Sequence, residues 1–327
     1  MSDERTLDLL EAKIEELRQL DAADGMDLSS EIAKLETKLE ELRFELYSNL
    51  SDWERVKIAR HPKRPYALDY IGEIFDGFYE LHGDRIDCDD RALVAGLARL
   101  DGRTVVVLGQ QKGRSTEENK ERFYGMTRPQ GYRKARRVVE LAERFSFPVV
   151  CLIDTPGAYP GLESEEANIG GAIAESLATM ARVRVPTVAV VIGEGGSGGA
   201  LAIGLADRVL MLENAIYTVI TPEGAAAILW KDKDRIKDAA AALNLTAPHL
   251  RELGLIDGIV PEPLGGAQKN FAVTATALKQ ELVAQLAELS RVRPAELLAD
   301  RFARYRAIGR YVGINEVAVD EPPSDEA

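Results

Sequence analysis

The sequence predicts an α/β protein, and two observations carry this prediction. Short apolar runs bounded by turn residues, which are typical of buried strands, alternate along the middle of the chain with longer segments. In those longer segments apolar residues recur every three or four positions, which is typical of helices. With 327 residues, of which 46% are apolar and 29% charged, the chain has the size and composition of a globular protein of about two domains.

The first 50 residues predict a helical hairpin. Leucines and isoleucines recur at alternating steps of three and four on both sides of Asp24-Gly25, whose turn chemistry interrupts the repeat. The proline-punctuated basic stretch 60–66 then excludes a continuous helix and marks a boundary. We therefore expect an N-terminal helical extension at residues 1–60, a main domain at 61–315 and a disordered acidic tail at 316–327.

The middle of the chain predicts a hairpin followed by alternating elements. Strands at 92–100 and 103–109 flank Asp101-Gly102, a dipeptide that strongly favours a two-residue β-turn. Apolar runs and amphipathic periodicity then predict further strands at 148–153, 186–192, 208–212 and 215–220, with helices at 131–145, 169–180, 222–230, 272–289 and 294–311.

Charge and cysteine content exclude several classes of protein. The net charge of −13 disfavours nonspecific binding to nucleic acid or to an anionic membrane, and no apolar run is long enough to span a bilayer. Cys88 and Cys151 are the only cysteines, too few for a disulfide framework or a cysteine-rich zinc site. The acidic, polar start lacks a secretory signal, so we expect a cytoplasmic protein.

One segment departs from this acidic balance. Residues 112–137 hold nine lysines and arginines against three glutamates, although the chain as a whole is strongly acidic. A positive segment on an acidic protein suggests an anionic ligand. A solvated helix face whose charges pair within the protein explains the segment equally well, so both interpretations stay open.

The segment 193–200, with the sequence GEGGSGGA, lies between a predicted strand and a helix-like run, and two side-chain motifs match it. The first is the G-x-G-x-x-G of dinucleotide-binding folds, but the next strand begins too soon for the usual crossover helix. The second is the G-x-S-x-G of serine hydrolases, with Ser197 as the nucleophile. His249, the only downstream histidine, then has to be the base, and it looks like an ordinary residue of a short helix that Gly254 ends.

A third interpretation of the same segment uses the main chain. Successive N–H groups at the start of a helix, unshielded by side chains, form a site for a developing oxyanion. Five glycines in eight residues fit this interpretation because a reactant has to approach the backbone closely. A tight turn with close strand–helix packing remains the purely structural explanation.

The chain also carries eight motifs in a fixed order: 64–66 (RPY), 81–85 (LHGDR), 111–114 (QKGR), 131–134 (GYRK), 154–161 (DTPGAYPG), 193–200 (GEGGSGGA), 228–231 (ILWK) and 261–266 (PEPLGG). Together these motifs resemble those of the carboxyltransferase α subunits of bacterial multisubunit acetyl-CoA carboxylases. The resemblance covers residues 5–310. It implies an α/β, crotonase-like fold of the ClpP/crotonase superfamily, a core of repeated ββα units with an N-terminal helical hairpin and C-terminal helices.

The resemblance also implies a function. Members of this family transfer the carboxyl group from carboxybiotin, held on the biotin carboxyl carrier protein, to acetyl-CoA, which gives malonyl-CoA for fatty acid biosynthesis. It implies activity only with the β subunit, as an α2β2 heterotetramer that works with biotin carboxylase. No metal is expected in this chain, and zinc is expected on the β subunit. A serine hydrolase that uses Ser197 and a non-catalytic structural subunit remain the alternatives.

The family pattern assigns expected roles to two loops. The N–H groups of Gly198 and Gly199 are the expected oxyanion donors for the biotin ureido oxygen, with Ala200 at the helix start as a further binding residue. Gly157 and Ala158 are expected to position biotin or to shape its pocket. In this interpretation Ser197 is a turn residue.

Basic residues of the positive segment are further expected ligands. CoA carries phosphates and the transferred carboxyl group is itself negative, so cationic side chains suit both. Contacts with the partner subunit are an equal alternative. The residues concerned are Lys112, Arg114, Arg133 and Lys134.

Overall fold

The computed structural model describes residues 2–24 and 28–309. The helices are α1 (Ser2–Asp24), α2 (Ser29–Tyr47), α3 (Asp52–Ala59), α4 (Ala67–Ile74), α5 (Thr116–Glu121), α6 (Pro129–Phe145), α7 (Leu162–Glu166), α8 (Ile169–Arg182), α9 (Ser197–Gly204), α10 (Pro222–Leu229), α11 (Ile236–Leu243), α12 (Ala247–Glu252), α13 (Phe271–Leu289) and α14 (Pro294–Arg306). The strands are β1 (Asp76–Glu80), β2 (Leu93–Leu100), β3 (Arg103–Gln110), β4 (Val149–Thr155), β5 (Thr187–Gly196), β6 (Arg208–Leu212), β7 (Ile216–Thr218) and β8 (Gly258–Val260).

The predicted N-terminal hairpin is confirmed. Helices α1 and α2 pack along each other and bury a small apolar cluster, which includes Leu7, Ile14 and Leu39. The next helix, α3, adds Ile58 to this cluster and also packs against α11 through Val56. The domain limits predicted at residues 60 and 315 stay predictions, and the tail 316–327 lies outside the described residues.

A single sheet forms the centre of the molecule. Its strand order is β1-β2-β3-β4-β5-β6-β8; the pairs among β1, β2 and β3 are antiparallel, and the pairs from β3 to β8 are parallel. The predicted hairpin turn is confirmed, because β2 and β3 are joined by Asp101 and Gly102, both with positive φ. All seven residues of β4 are buried, as expected of a parallel strand covered on both faces.

Strand β5 changes partners halfway along its length. Its first half pairs with β6 over 188–191, and its second half pairs with β7 over 194–196. On the other side the register with β4 is irregular, because Ile153 pairs with Val191 whereas Thr155 pairs with Gly195. The carboxyl end of β5, which is the first half of the glycine-rich segment, therefore departs from the regular pairing of the sheet, and α9 begins directly after it.

Three predicted elements differ from the observed ones by three residues or more. The strand predicted at 215–220 is only Ile216–Thr218. The strand predicted at 186–192 continues to Gly196, because β7 supplies pairing partners that the short apolar run did not reveal. The helix predicted at 294–311 ends at Arg306, and Gly309 beyond it has a φ of 101° that a helix cannot continue through. Across residues 2–24 and 28–309, no helix is both long and apolar enough to cross a membrane.

A buried ion pair closes the amino end of β5. Arg301 of α14 donates from Nε to Asp207 Oδ1 over 2.8 Å, and the other oxygen of Asp207 accepts the Thr187 N–H, also at 2.8 Å. The guanidinium also donates to the carbonyl groups of Met180 and Val183. This arrangement joins α14 to the end of α8 and to the starts of β5 and β6.

Candidate active site

The glycine-rich segment forms the end of β5 and the first turn of α9. Gly196 is the residue before the helix, and Ser197, Gly198 and Gly199 are its first three positions. The N–H groups at these positions have no carbonyl partner within the helix, because an α-helix bonds each N–H to the carbonyl four residues earlier. Gly198 is partly buried and Gly199 is buried. The start of α9 therefore offers backbone donors that no side chain shields.

The loop after β4 packs directly on this helix start. A Cβ at Gly199 would lie 2.5 Å from the backbone nitrogen of Ala158, and a Cβ at Gly196 would lie 2.2 Å from the carbonyl oxygen of Pro156. Gly198 differs, because the nearest atoms to its Cβ position belong to Ile173 at 3.8 Å or more. The structure thus brings together the two loops that the sequence singled out.

Two buried side chains fix the orientation of the helix start. Gln110, at the end of β3, donates from Nε2 to the carbonyl oxygen of Gly199 over 2.8 Å. The hydroxyl of Tyr132, on α6, donates to the same oxygen over 3.3 Å. Burial raises the pKa of Tyr132, so the hydroxyl stays protonated and remains a donor. Neither residue was predicted from the sequence, although Gln110 directly precedes the motif 111–114 and Tyr132 lies within the motif 131–134.

Ser197 does not have the surroundings of a nucleophile. It is exposed and its φ is 51°, in the left-handed region that turn residues adopt. His249 Nδ1 lies 3.2 Å from Thr246 Oγ1 and 3.6 Å from Asp52 Oδ1. Within the described part of the chain, no hydrogen bond joins His249 to Ser197, so the base that a serine hydrolase requires is not assembled.

Ala200 and the four basic residues of the prediction lie in several different surroundings. Ala200 is fully buried in the first turn of α9. Arg114 pairs with Asp69 and donates to the carbonyl oxygen of Arg64 over 3.0 Å, which ties down the stretch between α3 and α4. Its contacts are to its own chain, as the intramolecular interpretation of the positive segment predicts.

Arg133 and Lys134 have partners in the loop between β1 and β2. Arg133 Nε lies 2.8 Å from Asp84 Oδ2, and Lys134 Nζ lies 2.6 Å from Asp89 Oδ1. Lys134 is completely buried. These contacts direct both side chains to residues 84–90 rather than to the glycine-rich segment, and the predicted roles of both residues in substrate binding stay predictions.

Lys112 is the one residue of this group that contacts the glycine-rich segment. Its ammonium group lies 2.7 Å from Asp154 Oδ1 and 2.9 Å from Glu194 Oε2. Arg60 Nε lies 2.6 Å from the other oxygen of Glu194. Burial acts to lower the pKa of Lys112, but the two carboxylates outweigh it and raise the pKa above its ordinary value. Lys112 is therefore charged at neutral pH.

An apolar cavity of about 370 Å³ opens beside the helix start. Ser197 and Gly198 form one edge of it, and the remaining wall is mainly apolar, including Leu201, Tyr217 and Val219. Such a cavity suits the apolar part of a small ligand whose polar group reaches the backbone donors. The geometry therefore places an apolar cavity beside the first turn of α9, whose N–H groups have no partner within the helix.

Comparison with known proteins identifies the family. Residues 1–309 match the acetyl co-enzyme A carboxylase carboxyltransferase-like family. The acetyl-coenzyme A carboxylase carboxyl transferase subunit alpha of Methylococcus capsulatus is 55% identical over 302 residues, which cover 92% of this chain and 94% of that protein. The subunit of the same name from Halorhodospira halophila is 51% identical over 304 residues, covering 93% of this chain and 96% of that one.

Solved structures confirm the predicted fold. Transcarboxylase 12S superposes with a TM-score of 0.57 and 21% identity, covering 72% of this chain and 44% of that one. A Pseudomonas malonate decarboxylase hetero-tetramer gives a TM-score of 0.55 and 20% identity, covering 67% of this chain and 90% of that one. The fold is the crotonase-like α/β fold of carboxyltransferases, and the chain belongs to the family of acetyl-CoA carboxylase carboxyltransferase α subunits.

Proposed function

We propose that this chain is the α half of a carboxyltransferase that moves a carboxyl group from carboxybiotin to acetyl-CoA and forms malonyl-CoA. The observation that carries the proposal is the start of α9, where backbone donors lie next to an apolar cavity. The family membership supports the same reaction. In this proposal Gly198 and Gly199 supply the donors, Gly157 and Ala158 position biotin or shape its pocket, and Ala200 is a further binding residue at the helix start.

The donors act on charge that develops during the reaction. When the carboxyl group leaves carboxybiotin, negative charge grows on the ureido oxygen, and the N–H groups of Gly198 and Gly199 donate to that oxygen. Because the backbone holds them in place beforehand, they stabilise the charge without reorganising. Removal of one such donor typically slows an enzyme by about 100-fold to 1000-fold. The positive end of α9 acts in the same direction.

This chemistry does not require an acidic or basic side chain from the chain. The biotin nitrogen freed by the transfer is itself able to take the proton from the methyl group of acetyl-CoA, so the protein has to provide position and charge stabilisation. The observed site agrees with this division of roles. The charged groups at the glycine-rich segment are all in ion pairs, because Lys112 pairs with Asp154 and Glu194 and Arg60 pairs with Glu194. Ser197 faces solvent.

The proposal includes partner proteins. The curated relatives are named as subunits, and the malonate decarboxylase that shares the fold is a hetero-tetramer. At the mouth of the cavity Leu201 and Val219 are 44% and 75% exposed, and large apolar side chains at such a position suit a subunit interface. We infer a β subunit that carries zinc, an α2β2 assembly, biotin delivered by the carrier protein after biotin carboxylase has charged it, and a cytoplasmic role in fatty acid biosynthesis.

The reverse reaction tests the proposal. Purified chain, with and without its cognate β subunit, is given malonyl-CoA and a free biotin derivative as acceptor, and acetyl-CoA formation is measured. We expect turnover only when both β subunit and biotin derivative are present. Turnover by the isolated chain without a biotin acceptor would support a hydrolase instead, and a correctly assembled complex without any turnover would contradict the proposed function.

A further inference from the structure

Side chains form hydrogen bonds with the backbone of β5 where its pairing with β4 is irregular. Between the paired positions, β5 carries residues 192–194 where β4 carries only Asp154. Asp154 Oδ1 accepts the N–H of Glu194 at 2.9 Å, and Arg64 Nε donates to the carbonyl oxygen of Ile192 over 2.8 Å. A Cβ at Gly193 would lie 2.5 Å from the same carboxylate oxygen. The path of β5 into the glycine-rich segment is thus set by where the Asp154 carboxylate lies.

Lys112 holds that carboxylate in place. Its ammonium group donates to Asp154 and to Glu194, so one cation joins the ends of β4 and β5. The side chain is only 13% exposed, and its stem is enclosed, because a Cβ at Gly125 would lie 2.8 Å from Lys112 Cγ. A lysine enclosed in this way is poorly placed to bind a phosphate or carboxylate of a substrate.

The joined residues lie just upstream of both loops of the candidate site. Asp154 is three residues before Gly157, and Glu194 is four residues before Gly198. Those two loops are in backbone contact at Gly199. A change in the separation of the two carboxylates therefore moves the backbone donors relative to the pocket.

We propose that Lys112 is a positioning residue for the transfer reaction, which holds the ends of β4 and β5 together so that the N–H groups of α9 keep their place. The proposal rests on the proposed function. It replaces the expectation that Lys112 binds an anionic substrate directly. The group that acts on the substrate remains the backbone, and Lys112 acts on it through Asp154 and Glu194.

Loss of the ammonium group has a defined electrostatic consequence. In Lys112→Met, two buried carboxylates remain together, and Arg60 is the cation that still pairs directly with one of them, Glu194. Burial already raises the pKa of Asp154, and loss of the ammonium group that opposes this effect raises it further, which favours the protonated carboxyl group. Below that pKa the pair shares a proton and stays together; above it the two carboxylates repel. Other titratable or charged groups that face the cluster are Arg64, Tyr66, Tyr70 and Glu223.

The test compares variants in the assembled enzyme with the reverse reaction as the readout. We expect Lys112→Met to lower kcat by about tenfold to 100-fold at pH 8, because small displacements of a catalytic group have effects of this size. The KM for malonyl-CoA should stay within about twofold, since positioning acts on the transfer step. The activity relative to wild type should recover as the pH falls from 8.5 to about 6.

A double variant supplies the rescue. Lys112→Met/Glu194→Gln removes one positive and one negative charge, and the glutamine amide is able to donate to Asp154 and accept from Arg60. We expect it to recover most of the lost kcat and the wild-type pH profile. If Lys112→Met does not fold, the double variant carries the test by itself. Arg301→Met is the matched control, because it breaks a buried ion pair at the other end of β5 and should leave kcat unchanged.

Three results would overturn the proposal. The first is a Lys112→Met enzyme with raised KM and unchanged kcat, which would show that the ammonium group binds substrate. The second is a loss of kcat that does not depend on pH, and the third is a folded double variant without rescue. Failure of the proposed function gives a different result, because the wild-type assembly itself would then lack transfer activity.

Discussion

The two ends of strand β5 place buried ion pairs in very different surroundings. At the amino end, Asp207 accepts hydrogen bonds from Arg301 and Thr187, and Arg301 also donates to the carbonyl groups of Met180 in α8 and Val183 just after it. At the carboxyl end, Lys112 bridges Asp154 and Glu194, and the strand then runs into glycines and the unshielded start of α9. The ion pair at the amino end holds secondary-structure elements together. The ion pairs at the carboxyl end support backbone N–H groups that have no partner within α9.

The difference shows how one strand combines stability with a reactive site. Buried charges are costly unless they are paired and hydrogen-bonded, and both clusters meet that condition. At the amino end the pairing holds helices together. At the carboxyl end the pairing holds the irregular part of β5. The residues that follow have N–H groups that are available to a ligand.

The largest effect on activity is expected at Gly199. In Gly199→Ala the new methyl group would lie 2.5 Å from the backbone of Gly157 and Ala158, so the two loops have to move apart. We expect kcat of the reverse reaction to fall by about 100-fold to 1000-fold, the loss typical of a displaced oxyanion donor. Steady-state assays of the assembled enzyme give this value, and circular dichroism monitors the fold.

The matched control is Gly198→Ala. Its methyl group meets nothing nearer than Ile173 at 3.8 Å, and the N–H of residue 198 is kept. We expect kcat within about tenfold of wild type. Equal losses in the two variants would contradict the view that contact between the loops, rather than glycine content, keeps the donors in place.

A substitution at the amino end of β5 should lower the free energy of unfolding and leave kcat unchanged. Arg301→Met leaves Asp207 buried without its cation, and breaking such a pair typically costs about 3–5 kcal/mol. Urea denaturation of the purified chain measures the loss. Asp207→Asn in the same chain should recover most of it, because Thr187 keeps an acceptor. A fall in kcat of the remaining folded enzyme would contradict the assignment of separate roles to the two ends.

Much of the fold was predictable from the sequence because its strands are apolar runs and its helices are amphipathic. The hairpin of β2 and β3, for example, follows from Asp101-Gly102. The extension of β5 to Gly196 was not predictable from local pattern, because its second half is paired with β7, a strand of three residues. Glycines give no apolar signal, so only the pairing partner reveals the strand.

The two loops of the candidate site were predictable from the sequence, but the side-chain contacts that hold these loops in place were not. The glycine-rich segment and the loop 156–158 follow from their composition and from the family motifs. The positive segment suggested a ligand for Lys112, whereas the structure pairs it with Asp154 and Glu194. Those contacts join residues that are 42 and 82 positions apart, and sequence pattern does not report such distances. Glu194 carried one signal, as the only charged residue among the glycines.

The smallest loss of activity is expected for Ser197→Ala. Ser197→Ala removes the only hydroxyl of the glycine-rich segment and leaves every backbone N–H in place. Alanine also keeps the Cβ, so the substitution does not change the strain of the left-handed backbone at residue 197. The measurement is kcat of the reverse reaction in the assembled enzyme. We expect kcat to stay within about threefold of wild type, because the backbone supplies the donors. Loss of turnover in a correctly assembled Ser197→Ala enzyme would show that a side chain performs the chemistry assigned here to the main chain.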